Sequence, residues 1–175
     1  LRTRRQRQMC IRDSDGAFTQ HAVPAFTDLL TVYVDGEDVI VGGKGGALVR
    51  RDGADAGFIP WVLGITQDIR DILQDESGQL WLAGGFGSLH RVNGDEVALK
   101  ISTGVSSSLN ALARQGDRVI AVGDGGIVLE IDSQDDVIRR HEQSGLFLYG
   151  VASSGTQSVA AVSYTHLRAH ETRPY

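Results

Sequence analysis

Gly42-Gly43-Lys44-Gly45-Gly46 is the stretch whose residue types first suggest chemistry. A glycine-rich turn with one lysine can cradle a phosphate, but such a loop ends in Gly-Lys before Ser or Thr and opens a helix. Here the apolar Ala47-Leu48-Val49 follows, and the same glycine step recurs elsewhere without lysine, so the stretch reads as a hairpin turn. His21, His90 and His141 stand at no metal-ligand spacing to one another. His166 and His170 do show a helical i, i+4 spacing, in a tail set aside below. Asp124 and the cluster Asp132, Asp135 and Asp136 could ligate calcium, but the EF-hand pattern is absent and they read as turn carboxylates. Asp35, Asp75 and Asp117 could supply carboxylate pairs for glycoside chemistry, with Arg50, Arg70 and Arg91 as cations for an acidic sugar. Each of those acids falls in a polar turn, and no spacing makes the arginines converge. Trp61, Trp81, Phe86 and Tyr149 could present an aromatic face. Trp81 lies inside an apolar run and reads as core. Phe86 sits at a turn centre, where a large aromatic is unexpected, and is the residue assigned to a partner contact. No catalytic, cofactor-binding or metal residues are assigned.

The elements that hold these residues come from an internal repeat. VIVGGKGGALVRRDG (Val39 to Gly53), LWLAGGFGSLHRVNG (Leu80 to Gly94) and VIAVGDGGIVLEIDS (Val119 to Ser133) align. Matching Gly42, Gly84 and Gly123 gives a period near 40 residues, and a second glycine follows each at Gly45, Gly87 and Gly126. Each unit begins with an apolar stretch such as Leu29 to Val34. A polar turn, a continuous apolar run, the glycine step, a short second run and a weaker closing strand follow. The closing strands fall at Gly57 to Val62, Glu96 to Ile101 and Asp136 to Ile138. A fourth unit opens at Leu146 to Val151.

Short Val- and Ile-rich runs without polar interruption suit strands covered on both faces. Gly43-Lys44, Gly85-Phe86 and Asp124-Gly125 read as the central pairs of two-residue type I′ or II′ turns. Gln67 to Gln74 and Ser108 to Arg114 also fit short helices, but the corresponding Thr31 to Val34 favours strand. Units of about 40 residues, each a four-stranded antiparallel sheet apolar on both faces, stack radially as a β-propeller. The expected fold is all-β, a partial propeller of about three and a half blades, truncated at both ends.

The termini carry a different signal. Met9 to Asp13, written as ATG TGT ATA AGA GAC and reverse-complemented, encodes Val162 to His166. Arg4 to Ser14 and Val162 to Thr172 resemble translated transposase-type sequencing adapters. Residues 1–14 and 162–175 are therefore expected to be non-native tails around a blade segment at 15–161. Seven of the 17 basic and two of the 22 acidic residues lie in those tails, leaving the body at a formal charge of −10. An acidic body repels phosphate backbones, so no nucleic-acid partner is expected. The body holds no cysteine and no apolar run long enough to span a membrane.

Val122-Gly123-Asp124-Gly125-Gly126-Ile127-Val128 resembles repeats of bacterial photosystem II assembly-factor-like and sialidase-type propellers. Asp75 to Leu82 resembles the repeats of sensor propellers ahead of bacterial signalling kinases. The sialidase Asp-box is missing; Asp15 to Thr19 is a faint echo of it. The resemblance implies a bacterial propeller fold; the expected function is an extracytoplasmic (periplasmic or secreted) module, of metagenomic origin, that binds a protein or polymer without catalysis or cofactor. A ligand-sensing propeller of a signalling protein, or a sialidase- or lyase-like enzyme, are the alternatives.

Overall fold

The computed structural model describes residues 7–12, 18–25, 27–94 and 98–163, with backbone only for 7–12, 18 and 19. Among the described residues sixteen strands follow one another, joined by turns and extended connections. They are β1 (Arg7–Arg12), β2 (Phe18–Val23), β3 (Leu29–Asp35), β4 (Asp38–Gly43), β5 (Leu48–Arg51), β6 (Ile59–Pro60), β7 (Ile69–Gln74) and β8 (Leu80–Gly84). Then come β9 (Leu89–Val92), β10 (Leu99–Lys100), β11 (Leu109–Gln115), β12 (Arg118–Gly123), β13 (Val128–Ile131), β14 (Val137–His141), β15 (Phe147–Ser154) and β16 (Gln157–Ser163). β3 to β6, β7 to β10 and β11 to β14 form three four-stranded antiparallel sheets, each a simple meander. β15–β16 and β1–β2 are two-stranded sheets. The segments that also fitted helices are strands β7 and β11, because their apolar residues are needed on two sheet faces.

The first strands of successive sheets, β3, β7, β11 and β15, contact one another, which sets them on the inner side of an arc. The apolar runs work by alternation. Val39 and Val41 pack with Val23 and Ala25 on one side, while Ile40 packs against the next sheet. Leu80 and Leu82 face backward to Ile69 and Leu48, whereas Trp81 and Ala83 face forward to Leu109 and Leu129. Val119 and Ala121 complete that forward cluster, and Ile120 and Val122 join Leu148 in the next. Each four-stranded blade thus contributes to two cores, and each fully buried Leu or Ile contributes about 1.5–3 kcal/mol. The closing strands β6 and β10 are only two residues long. Short outer strands leave little edge for another chain to pair with. Of the second closing segment, Glu96 and Val97 lie outside the described residues, as do residues 15–17 of the faint Asp-box echo.

The glycine step corrects two expectations. Gly43, not Gly42, matches Gly84 and Gly123. The N–H groups of Gly43, Gly84 and Gly123 donate to the carbonyls of Ala47, Ser88 and Ile127. Gly42 instead lies within β4, where a Cβ would sit 2.5 Å from Ile69 Cγ2. The glycine-rich run on both sides of Lys44 hid this one-residue slip. The turn is also longer than a two-residue hairpin. Residues 44–46 and 85–87 form single 3-10 turns, with the left-handed residues later than expected, two positions later at Gly45-Gly46 and one position later at Phe86-Gly87 and Gly125-Gly126. The lengthening lets the N–H of Lys44, Gly85 and Asp124 bond the carbonyl just before the first strand of the same sheet, at Asp28, Asp68 and, for Asp124, Ser108.

Residues 1–6, 13, 14 and 164–175 of the adapter-like tails lie outside the described residues, and with them His166 and His170. Arg7–Arg12 pairs in register with Phe18–Val23, and Val162 and Ser163 end β16.

Candidate partner-binding face

The glycine turns and the connections between sheets lie at one end of the arc, because Leu29, Ile69 and Leu109 open their strands opposite Gly43, Gly84 and Gly123. Close to that end, all four inner strands carry the same irregularity. The register shifts between Leu29 and Thr31, Ile69 and Asp71, Leu109 and Ala111, and Leu148 and Gly150. Leu30, Arg70, Asn110 and Tyr149 are the extra residues. A bulge re-aims a side chain out of the sheet's alternation, and here it does so at equivalent points around the inner edge.

Two polar chains follow from this. Arg70 Nη1 donates to Asn110 Oδ1 at 2.9 Å. Asn110 Nδ2 donates to Asp124 Oδ1 at 2.8 Å and to the Leu148 carbonyl at 2.9 Å. The chain therefore ties the second, third and fourth sheets together. Asp71 does the same for the first three: it accepts from the Thr31 hydroxyl, from its neighbour Ile72 N–H and, at 2.6 Å, from Leu112 N–H. Burial pushes the Asp71 carboxyl above its ordinary value, against the pull of those hydrogen bonds.

Phe86 stands on the same face, 82% exposed, with φ of +56°. Its counterparts are Gly45 and Gly125. A bulky side chain in the left-handed region is strained by about 1–2 kcal/mol. F86G should therefore raise stability by roughly 1 kcal/mol, read as a higher urea midpoint with unchanged slope. A lower midpoint would mean that the ring packs on the fold.

The other candidates are placed elsewhere. Trp81 is buried, and its Nε1 donates to Asp75 Oδ2 at 2.9 Å. Burial alone would raise the Asp75 pKa, but hydrogen bonds from Ser77, Trp81 and Gln79 outweigh it and hold the carboxyl below its ordinary value. A lowered folded-state pKa gives stability that is present above the unfolded value near 3.8 and lost as pH falls through the folded value. D75N should accordingly flatten the acid limb of the stability profile below about pH 4; an unchanged limb would refute the assignment. His90 is buried at a position matching Val49 and Leu129, and burial followed by the charge of Lys100 holds its pKa below the ordinary value. Asp132 Oδ1 accepts from Gln134 and Asp136 N–H within its turn, and Asp135 pairs with Arg91 of the preceding sheet at 2.7 Å. Among the described residues, no group of three or more His, Cys, Asp or Glu is placed to hold a metal.

Arg50 lies over Trp61 and Arg91 over Trp81, while Arg70 is on the inner edge, so the three arginines do not converge. Three of the four N–H groups of the Gly43–Gly46 turn are spent, Gly43 on Ala47, Lys44 on Asp28 and Gly45 on Asp68 Oδ1. The bulges were missed from sequence: Arg70 stands 14 residues before Gly84 and Asn110 stands 13 before Gly123, so no common offset marks them.

Solved structures share this architecture. The WD40 domain of Neurospora crassa Pan2 superposes with a TM-score of 0.65 at 15% identity, over 78% of this chain and 44% of that one. YCF48 bound to D1 peptide gives 0.63 at 12%, over 86% and 52%. Virginiamycin B lyase from Staphylococcus aureus with quinupristin gives 0.56 at 10%, over 87% and 70%. Identities this low carry the fold alone. No protein-family model matches the chain, and no curated protein sequence matches it. The class is a β-propeller. More particularly, the described residues form a partial propeller of three four-stranded blades, with the two-stranded sheet β1–β2 before them and β15–β16 after them, and the chain spans about half the length of the first two structures.

Proposed function

We propose that this propeller is a non-enzymatic module that displays the glycine-turn face to a protein or polymer partner, with Phe86 as its anchor. The single observation that carries this is an exposed aromatic in a strained backbone position where the sister blades use glycine. Strain kept at a surface position points to function rather than folding, and aromatic residues dominate interface hot spots. Stacked blades supply rigidity, and loops at one end supply specificity. YCF48 is a propeller bound to a peptide, which is compatible with this use of the fold.

The same reading takes the module as bacterial and extracytoplasmic, and takes residues 1–14 and 162–175 as adapter-derived; the uninterrupted genomic locus would decide both. A photo-crosslinking phenylalanine analogue at position 86, expressed in the source cells, should trap one discrete protein or polymer adduct. The analogue at Leu99, on an outer strand, should not. Equal labelling at the two positions, or none at 86, overturns the proposal.

A further inference from the structure

We infer that Arg70 anchors a carboxylate-binding site on the inner edge of the propeller, at the glycine-turn end. The bulge in β7 turns this arginine out of the sheet pattern. Its environment then fixes what it can do. Asn110 donates both to Asp124 and to the Leu148 carbonyl, so its amide can offer Arg70 only the carbonyl oxygen. Arg70 Nε is out of contact with water and makes no hydrogen bond. Among the described residues the guanidinium forms no ion pair. The residue is half-buried, and an unsatisfied buried N–H is rare enough to need a cause.

With Nε sealed and one Nη1 hydrogen given to Asn110, charge compensation is left to the Nη end. That end presents parallel N–H groups, the arrangement that a carboxylate's two oxygens match. Leu30 and Tyr149, 42% and 59% exposed, hold the equivalent bulge positions on other blades. They suit an apolar group beside the carboxylate. The ligand class is therefore a carboxylate on a partly apolar chain, as at a peptide C-terminus or at an Asp or Glu in an extended peptide.

The inference does not depend on Phe86. The whole chain should melt at a higher temperature in sodium acetate than in sodium chloride of equal ionic strength, as a ligand bound to the native state requires. R70M should abolish that difference, each protein being compared with itself in chloride because the variant also loses the Arg70–Asn110 bond. R70K keeps the charge and loses the planar fork, and should weaken the apparent acetate affinity roughly tenfold. A Leu-ending tripeptide against its amide, and a capped Asp-Leu dipeptide amide, separate a terminal from a side-chain carboxylate. F86G should keep the acetate response, so failure at position 86 leaves this result readable. No acetate-specific shift, an equal shift in R70M, or a response to neither peptide carboxylate overturns the inference.

Discussion

Gly87→Ala is expected to destabilise the protein by about 3–5 kcal/mol, a fall in melting temperature of roughly 10 °C. Two effects add at this position. The backbone holds φ at +66°, and a Cβ would lie 2.1 Å from the Val105 carbonyl oxygen. The first effect alone is worth about 1–2 kcal/mol. The second cannot be relieved by a rotamer change, because the obstructing atom is backbone. It belongs to the connection that carries the chain from the second sheet to the third, so relief would have to move a blade. Gly46 and Gly126 are built alike, against the carbonyls of Ile65 and Gln143 at 1.9 and 2.3 Å. Gly94 is the control: φ is +63° and nothing lies within 4 Å, so Gly94→Ala should cost only about 1 kcal/mol. Urea unfolding of the two variants measures the difference. Equal losses would show that the turn and the connection do not meet as described.

Asp71→Ala should cost about 2–4 kcal/mol although it removes no apolar contact. Its carboxylate gathers donors from three consecutive blades, Thr31, Ile72 and Leu112. β11 is the innermost strand of its sheet, so one of its edges has no strand partner. Asp71 serves that edge in place of a neighbouring strand. Alanine leaves Leu112 N–H facing the inter-blade seam without an acceptor, and the lost bond is compounded by the desolvation of an orphaned donor. Asp71→Asn should fall between the two, because the amide oxygen can still accept from Leu112 while its NH2 group opposes the Ile72 N–H. Denaturant midpoints for the parent and the two variants give the ranking. An Asn variant as damaged as the Ala variant would mean that charge, not hydrogen-bond geometry, is what Asp71 supplies. Hydrogen exchange at Leu112 should accelerate in D71A before global unfolding, which locates the loss at the seam.

Much of the architecture was legible in the chain because it rests on local patterns. Leu80 to Ala83 is uninterrupted by polar residues, and only a strand with a neighbour on each face can bury such a run. The polar Asp75 to Gln79 turn and the recurring glycines marked the strand ends. The position of Phe86 in a turn was also legible, and so was its oddity. Its turn was expected as a two-residue hairpin centred on Gly85-Phe86, and the longer 3-10 turn moves the left-handed pair to Phe86-Gly87. The polar inner edge was not legible at all. Arg70 and Asn110 read as ordinary members of alternating strands, and nothing in their spacing announces a bulge.

Sequence by itself determined the repeat, the four-strand unit, the burial of Trp81 and the failure of the Gly43–Gly46 turn to be a phosphate loop. Those follow from composition and period, which act over a few residues. Tertiary structure alone decided which carbonyl each glycine must clear, where the inner strands bulge, and that Arg70, Asn110 and Asp124 form one chain across blades. Those depend on contacts between residues 14 and 40 positions apart. The Arg70–Asn110 contact exists only once the blades have stacked, the Asn110–Asp124 contact only once its own sheet has formed, and no local propensity encodes either.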